Sequence, residues 1–296
     1  MTAWPPCSDA ARHRGDALVA TAPPVRRWLL LEQPKGWPEK ILTSPDLVGV
    51  RARIQEIVAA RAGRLLFVRR PGRPQPGGLR RWFVIDPLTR TESRGVWEPG
   101  AGLDEALSAF AAEGPQPDPV AVRLLVCTHG RHDRCCAVRG RPVAAAVSDR
   151  FPQETWECSH MGGDRFAGNL VVLPSGTYYG GLDPESALDV VLAHRRHAVA
   201  ATHLRGVTTI PPVGQAALWC VLDHFGPGPL GSMSARIHPG GGPQVWRVDV
   251  TGHPRAAGVE VEVRRGILPP ARRSCRAAED QIAVTYAAVV TGTSAR

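Results

Sequence analysis

The sequence contains no long hydrophobic run. Apolar stretches of the 296-residue chain, such as 28–31 and 170–173, are far shorter than the roughly 20 residues that a membrane-spanning helix needs. The first residues, MTAWPPCSDAARHRGD, also lack the apolar core of a secretory signal peptide. We therefore expect no membrane association and a cytoplasmic protein, whose cysteines stay reduced.

Lysine is almost absent. Only two of the 36 basic residues are lysines, Lys35 and Lys40, and the net charge of +9 comes from arginines scattered along the chain in short pairs. A nucleic-acid-binding protein usually concentrates its positive charge on one element, with aromatic residues between the charges. Nucleic acid is therefore not an expected partner, and a docking surface for an acidic protein or a plain solvated surface fits this pattern better.

Motifs that bind nucleotides or catalytic zinc, such as GxGxxG, the Walker sequence and HExxH, are also missing. The length corresponds to about two domains. Proline- and glycine-rich stretches at 113–120 and 206–215 interrupt the chain. They predict three segments: an N-terminal α/β domain at 1–118, a middle α/β domain at 119–204 and a small α+β segment at 205–296.

The first two segments share one predicted order of elements, which is strand, helix, strand, strand and helix. In the first segment the strands fall at 27–33, 65–69 and 82–86 and the helices at 44–62 and 104–111, with a loop at 69–78. In the second they fall at 122–127, 156–160 and 169–174, with helices at 136–150 and 183–202. This repeat predicts an α/β fold of tandem thioredoxin-like βαββα units. The last segment predicts a helix at 215–226, a hairpin at 244–266 and a strand at 282–291.

Cysteine is where the sequence concentrates its chemistry. The odd number of seven cysteines argues against a disulfide framework. Four of them fall within 32 residues, together with His129, His132 and His160; these four are Cys127, Cys135, Cys136 and Cys158. Cys127 ends a predicted strand and Cys136 begins a predicted helix, so both side chains are expected at one sheet edge. The other three, Cys7, Cys220 and Cys275, stand alone in the sequence.

Two long motifs in this region resemble the sucrase/ferredoxin-like family. They are CTHGRHDRCCAVRGRPVA at 127–144 and WECSHMGGDRFAGNLVVLPSGTYYG at 156–180. The resemblance implies that the middle segment, 119–204, is a thioredoxin-like ferredoxin domain that binds a [2Fe–2S] cluster. It does not extend to sugar hydrolysis, because the sequence shows no pair of carboxylates placed for that reaction.

The resemblance also implies the ligands. Family members use two cysteines separated by eight residues and a His-x-x-x-His pair, which correspond here to Cys127, Cys136 and His160. The fourth position holds Asp164 instead of histidine. A carboxylate is an uncommon but possible ligand of ferric iron, and Cys158 is the alternative fourth ligand.

These observations predict an electron carrier, more than a catalyst, that exchanges electrons with an unknown redox partner. Two other functions stay open. The first is a zinc-stabilised binding module that uses Cys127, Cys136, Cys158 and His160, a Cys₃His set that zinc accepts. The second is a thiol oxidoreductase that works through the neighbouring Cys135 and Cys136.

Overall fold

A computed structural model describes residues 5–34, 36–72 and 79–294. Of the loop expected at 69–78, residues 73–78 lie outside this description. The α-helices of the described residues are α1 (Cys7–Arg14), α2 (Arg51–Ala60), α3 (Leu103–Ala111), α4 (Arg134–Arg150), α5 (Pro184–Arg195) and α6 (Pro212–Phe225). Across these ranges, none of the helices has the length and apolar character needed to cross a bilayer.

The strands form one large and one small sheet. The large sheet contains β1 (Arg27–Glu32), β2 (Gly63–Arg69), β3 (Arg80–Asp86), β4 (Thr91–Trp97), β5 (Asp118–Pro119), β6 (Arg123–Cys127), β7 (Thr155–Cys158), β8 (Leu170–Leu173), β9 (Thr177–Tyr179) and β10 (Leu204–Val207). The small sheet contains β11 (Ser234–Pro239), β12 (Val245–Thr251), β13 (Gly258–Ala271) and β14 (Gln281–Ser294).

The large sheet repeats one strand order. Its full order is β10-β9-β8-β6-β7-β2-β1-β3-β4-β5, so β2-β1-β3-β4 in one half corresponds to β7-β6-β8-β9 in the other. In each half two parallel strands, β1 with β2 and β6 with β7, are linked through a helix, and the next strands are antiparallel. The antiparallel pair β2–β7 joins the halves. The expected α/β class is confirmed, and this repeat agrees with tandem units.

Apolar residues on both faces of the strands hold the sheet in place. In β1, Trp28 and Leu30 pack into one buried cluster, whereas Leu29 and Leu31 pack into another. Successive side chains of a strand point to opposite faces, so this continuous apolar run fits a strand that is covered on both sides. This explains why residues 28–31 form a strand although apolar and polar residues do not alternate along them.

The helix expected at 44–62 begins later than predicted. Residues 41–43 and 45–47 form short 3₁₀ turns, and α2 starts only at Arg51. Ser44 makes no side-chain capping bond, so the Ser-Pro start signal belongs to a 3₁₀ turn. The structure also adds α1, β4, β5, β10 and β11, which the sequence analysis did not predict.

The C-terminal segment is a four-stranded antiparallel sheet with the order β11-β12-β13-β14. Buried residues of α6 and of this sheet share one apolar cluster with residues of α4 and β8, such as Val143 and Leu170. The segment therefore packs against the cysteine-containing half of the large sheet. The segment boundaries at 118/119 and 204/205 stay predictions.

Candidate metal centre

Two strand ends and one helix start position the cysteines. Cys127 is the last residue of β6 and lies in register with Cys158, the last residue of the parallel strand β7. Cys136 lies in the first turn of α4, where Asp133 caps the helix by accepting the backbone N–H of Cys135 at 2.8 Å. The short connection between β6 and α4 therefore returns Cys136 to the strand edge that holds Cys127.

A glycine allows this close approach. A Cβ atom on Gly140 would lie 1.9 Å from the backbone oxygen of Cys127, a distance that no side chain tolerates. Only glycine thus lets α4 pack this closely on the end of β6. The strand-helix contact sets the distance between the two cysteines.

Four of the expected ligands come together in space. The ligating atoms of Cys127, Cys136 and His160 lie within 4.8 Å of one another. The thiol of Cys136 donates a hydrogen bond to Oδ1 of Asp164 at 3.3 Å. The same oxygen lies 2.9 Å from Nδ1 of His160. The structure therefore brings two thiols, an imidazole and a carboxylate to one place.

Cys158 lies beside this group and not in it. Its side chain is fully buried in an apolar cluster with Leu66 and Val68, and burial raises the pKa of its thiol well above the usual value. Among the described residues, the sets of ligating atoms that converge at this edge do not include Cys158. Its surroundings are those of an apolar core residue.

The site also has two neighbouring histidines, to which the sequence analysis gave no role. Buried His129 accepts the backbone N–H of His160 on Nδ1 at 3.2 Å and donates from Nε2 to the Pro38 carbonyl at 2.9 Å. His132 stacks on the ring of His160, with ring centroids 3.7 Å apart, and its Nε2 lies 3.7 Å from Asp164. Both histidines lie just after Cys127 in the 127–144 motif. That position was the sequence signal that could have identified them as part of the site.

The electrostatics of the group favour charged ligands. The contact with Cys136 lowers the pKa of Cys127 well below its usual value, and the same contact raises the pKa of Cys136. Burial lowers the pKa of His160, but its contacts with Asp164 and Cys127 outweigh this effect and raise that pKa to about 9. Burial raises the pKa of Asp164, but the contact with His160 lowers it overall. These shifts favour a thiolate at Cys127 beside a protonated His160, and a metal ion that takes both cysteines and His160 must displace protons.

The glycine-rich loop after β7 packs on a buried arginine. Gly162 and Gly163 have φ angles of +98° and +82°. A Cβ atom on Gly163 would lie 2.6 Å from the guanidinium of Arg205. Arg205, which is 2 % exposed, donates to the carbonyl of Gly162 at 2.9 Å and to Asn169 at 2.8 Å. The two glycines let the loop that carries His160 and Asp164 close over this side chain, a contact that the sequence analysis missed.

The remaining cysteines correct one expectation. Cys7 and Cys275 do not stand alone, because both meet Cys135 in a second group. The Cys135 sulfur contacts these two thiols, while Cys136 belongs to the first group, so the neighbouring pair is divided between two sites. The contact with Cys7 lowers the pKa of Cys135 to about 6 despite burial. Cys220 is buried on α6, outside both groups.

The fold and these groups define an α/β protein whose clustered cysteine, histidine and aspartate side chains fit a metal-binding role. The chain belongs to the Sucrase/ferredoxin-like family, whose family model matches residues 18–206, more than half of the sequence. No curated protein and no solved structure matches the chain.

Proposed function

We propose that the protein carries electrons through a [2Fe–2S] cluster held by Cys127, Cys136, His160 and Asp164. The observation that carries this proposal is the convergence of the ligating atoms of Cys127, Cys136 and His160 within 4.8 Å of one another. Membership of a family described as ferredoxin-like supports the same function. A bound cluster of this type supplies one-electron transfer.

The donor set suits iron and sulfide. Thiolates and imidazoles are the ligands found in Rieske-type centres, and replacing thiolate by imidazole raises the reduction potential. Although Oδ1 of Asp164 lies 2.9 Å away, the buried Nδ1 of His160 makes no hydrogen bond within the described part of the chain. This nitrogen would bind a metal only after the imidazole has lost a proton.

The protein environment divides the site into a buried side and an exposed side. Cys127 and Cys136 are 1 % and 0 % exposed, so they hold their part of the site away from water. The side chain of His160 is 21 % exposed and that of His132 is 31 % exposed. Electrons would therefore enter and leave at the histidine edge.

A depression beside this edge suits a docking partner. It has a volume of about 550 Å³ and is bounded by His132 and His160, by apolar side chains such as Ile41 and Leu42, and by basic side chains that include Arg64. We propose that an acidic redox protein docks here. We further propose that it does so in the cytoplasm, where the seven free cysteines would stay reduced.

Spectroscopy of the anaerobically purified protein tests the function. We expect a red-brown protein with equal amounts of iron and acid-labile sulfide, which bleaches with dithionite and then gives an EPR signal. Cys127→Ser and Cys136→Ser should lower the iron content at least about tenfold, because each removes a direct ligand. Cys220→Ser is the matched control, since it replaces a buried thiol outside both groups.

The other outcomes would point to the alternative functions. A colourless protein that contains zinc, lost on Cys127→Ser, would contradict the proposal and support the zinc-stabilised module. A colourless, metal-free protein with a reactive thiol at Cys135 or Cys136 would instead support the thiol oxidoreductase.

The fourth ligand needs its own comparison. Asp164→His should retain the cluster and raise its reduction potential, since imidazole carries less negative charge than carboxylate, and Asp164→Asn should change the EPR spectrum. Cys158→Ser and His132→Ala should leave the iron content unchanged. If either of these two variants alone loses the cluster as Cys127→Ser does, Asp164 is not the fourth ligand.

A further inference from the structure

Three distant parts of the chain meet at a second group of metal-ligating side chains. Cys7 is the first residue of α1, Asp133 and Cys135 lie at the start of α4, and Cys275 lies between β13 and β14. Cys7 and Cys135 are each 2 % exposed, and Asp133 is 0 % exposed. Cys7 and Cys275 both lie outside residues 18–206, the part that the family model matches.

The distances within this group are those of a tetrahedral site. The sulfur of Cys135 lies 3.6 Å from that of Cys7 and 3.4 Å from that of Cys275, and the sulfur of Cys7 lies 3.6 Å from Oδ2 of Asp133. All four ligating atoms lie within 4.8 Å of one another. With zinc–sulfur bonds of about 2.3 Å and zinc–oxygen bonds of about 2.0 Å, a tetrahedron has edges of about 3.8 Å between sulfurs and about 3.5 Å between sulfur and oxygen.

Hydrogen bonds hold these side chains in position. Asp133 accepts hydrogen bonds from the backbone N–H of Cys135 at 2.8 Å, from the Ser274 hydroxyl at 2.9 Å and from the backbone N–H of Cys275 at 2.6 Å. The backbone N–H of Cys7 donates to the sulfur of Cys275 at 3.4 Å. These three donors are uncharged, as is the Cys7 thiol that also contacts Asp133, so the buried negative charge would gain from a cation.

We propose that Cys7, Cys135, Cys275 and Asp133 bind one zinc ion, at a structural site separate from the centre at Cys127. Three sulfurs and one oxygen complete a closed tetrahedral set, and zinc, a borderline-soft cation, accepts both kinds of ligand. A disulfide would join only two of the three thiols and would leave the third thiol outside the bond. Four ligands around one ion account for the whole group.

Such an ion would attach both ends of the chain to the metal-binding half. Cys7 belongs to an N-terminal helix and Cys275 to the C-terminal segment, while Cys135 directly precedes Cys136. Zinc at this position therefore fixes the helix start that presents Cys136 to the first centre. Metal binding of this type contributes directly to folding.

Metal analysis of the full-length protein tests this site independently of the first one. We expect one zinc ion per chain in the wild type. Cys7→Ser and Cys275→Ser should each lower the zinc content at least about tenfold, whereas Cys220→Ser should leave it unchanged. Zinc X-ray absorption on the wild type should show three sulfur ligands and one oxygen ligand, a measurement that does not depend on whether the serine variants fold.

Several results would overturn the proposal. The proposal is wrong if both serine variants retain zinc, or if Cys127→Ser loses it. It is also wrong if the protein is metal-free and the thiols at this site are either all free or joined in a disulfide that dithiothreitol reduces. The test separates this site from the proposed function: Cys127→Ser should remove iron and leave zinc. A protein without iron whose zinc depends on Cys7 would refute the cluster and leave the zinc site standing.

Discussion

The two halves of the large sheet share a strand order but differ in chemistry. In the cysteine-containing half, only residues 128–133 separate β6 from α4, and the strand ends in Cys127. In the other half, residues 33–50 separate β1 from α2, and the strand ends in Glu32, which pairs with Arg81 at 2.8 Å. The same topology thus builds a group of metal-ligating side chains only where the connection is short and carries cysteines at its ends.

The half without thiols nevertheless supports the site. The β2–β7 pair places it against the loop that carries His160. Arg64 donates to the carbonyl of His160 at 3.2 Å, and the carbonyl of Pro38 accepts from His129 at 2.9 Å. The comparison shows that one half supplies the candidate ligands and the other half supplies contacts that hold them in place.

Among the variants that distinguish the two halves, Gly140→Ala should lower the stability of the protein the most. The added methyl group would collide with the backbone oxygen of Cys127, 1.9 Å away, so α4 must move off β6. We expect the free energy of unfolding, measured in urea, to fall by about 3 kcal/mol or more, at the upper end of overpacking costs. The iron content should fall with it, because Cys136 moves with the helix.

Gly49 provides the matched control in the other half. It lies just before α2, and a Cβ atom there would meet nothing within 4 Å. Gly49→Ala should therefore change the unfolding free energy by less than about 1 kcal/mol. Equal effects of the two variants would contradict the view that the strand-helix distance is critical only in the cysteine-containing half.

The sequence predicts the first group well because its members lie at strand and helix ends close along the chain. The two motifs at 127–144 and 156–180 bring together Cys127, Cys136, His160 and Asp164, and the structure places these four in contact. Their role as cluster ligands stays a prediction. The meeting of Cys7 and Cys275 with Cys135 could not be predicted from spacing, because 128 and 140 residues separate the partners.

The predicted fold is right where apolar runs are strong and incomplete where they are weak. The run 28–31 forms β1, and α5 begins where predicted, with Asp183 as its N-cap. Strand β4 (TESRGVW) was missed because polar and charged residues fill most of its positions. The start of α2 was placed too early because a Ser-Pro pair that signals a helix start also suits a 3₁₀ turn.

The two halves should also differ, by a smaller amount, in how their stability depends on acidic pH. His194, on α5, contacts the Tyr179 hydroxyl at 3.0 Å, whereas α3 contains no histidine. Burial lowers the pKa of His194 from 6.5 to about 4. The unfolded chain therefore binds this proton first, and the stability that neutral His194 contributes is complete above pH 6.5 and is lost as the pH falls towards 4.

Urea unfolding at several pH values measures this contribution, best in a Cys127→Ser background so that metal loss does not interfere. Between pH 7 and pH 4.5, the unfolding free energy of the Cys127→Ser protein should fall by on the order of 2 kcal/mol more than that of the Cys127→Ser, His194→Gln protein. His224→Gln replaces an exposed histidine on α6 and should retain the pH dependence of the Cys127→Ser protein. A His194→Gln derivative with an unchanged slope would show that His194 is protonated in the folded protein.

The smallest expected effect concerns the contacts through which the first half holds the loop that carries His160. Arg64→Met retains the apolar stem of the side chain but removes the hydrogen bond to the His160 carbonyl. A typical hydrogen bond contributes about 1 kcal/mol net, and this one is only partly buried. We therefore expect a loss of about that size in unfolding free energy, together with faster loss of iron to a chelator, because the loop carrying His160 and Asp164 is held less firmly.

Arg53→Met separates this effect from the general loss of an arginine. Arg53 belongs to the same half and pairs with Asp104, but the two side chains are 47 % and 82 % exposed. Exposed ion pairs contribute little, so the variant should change the unfolding free energy by less than about 0.5 kcal/mol and leave iron release unchanged. If Arg53→Met and Arg64→Met release iron equally fast, the first half does not hold the site through Arg64, and the contacts of His129 with Pro38 must hold it instead.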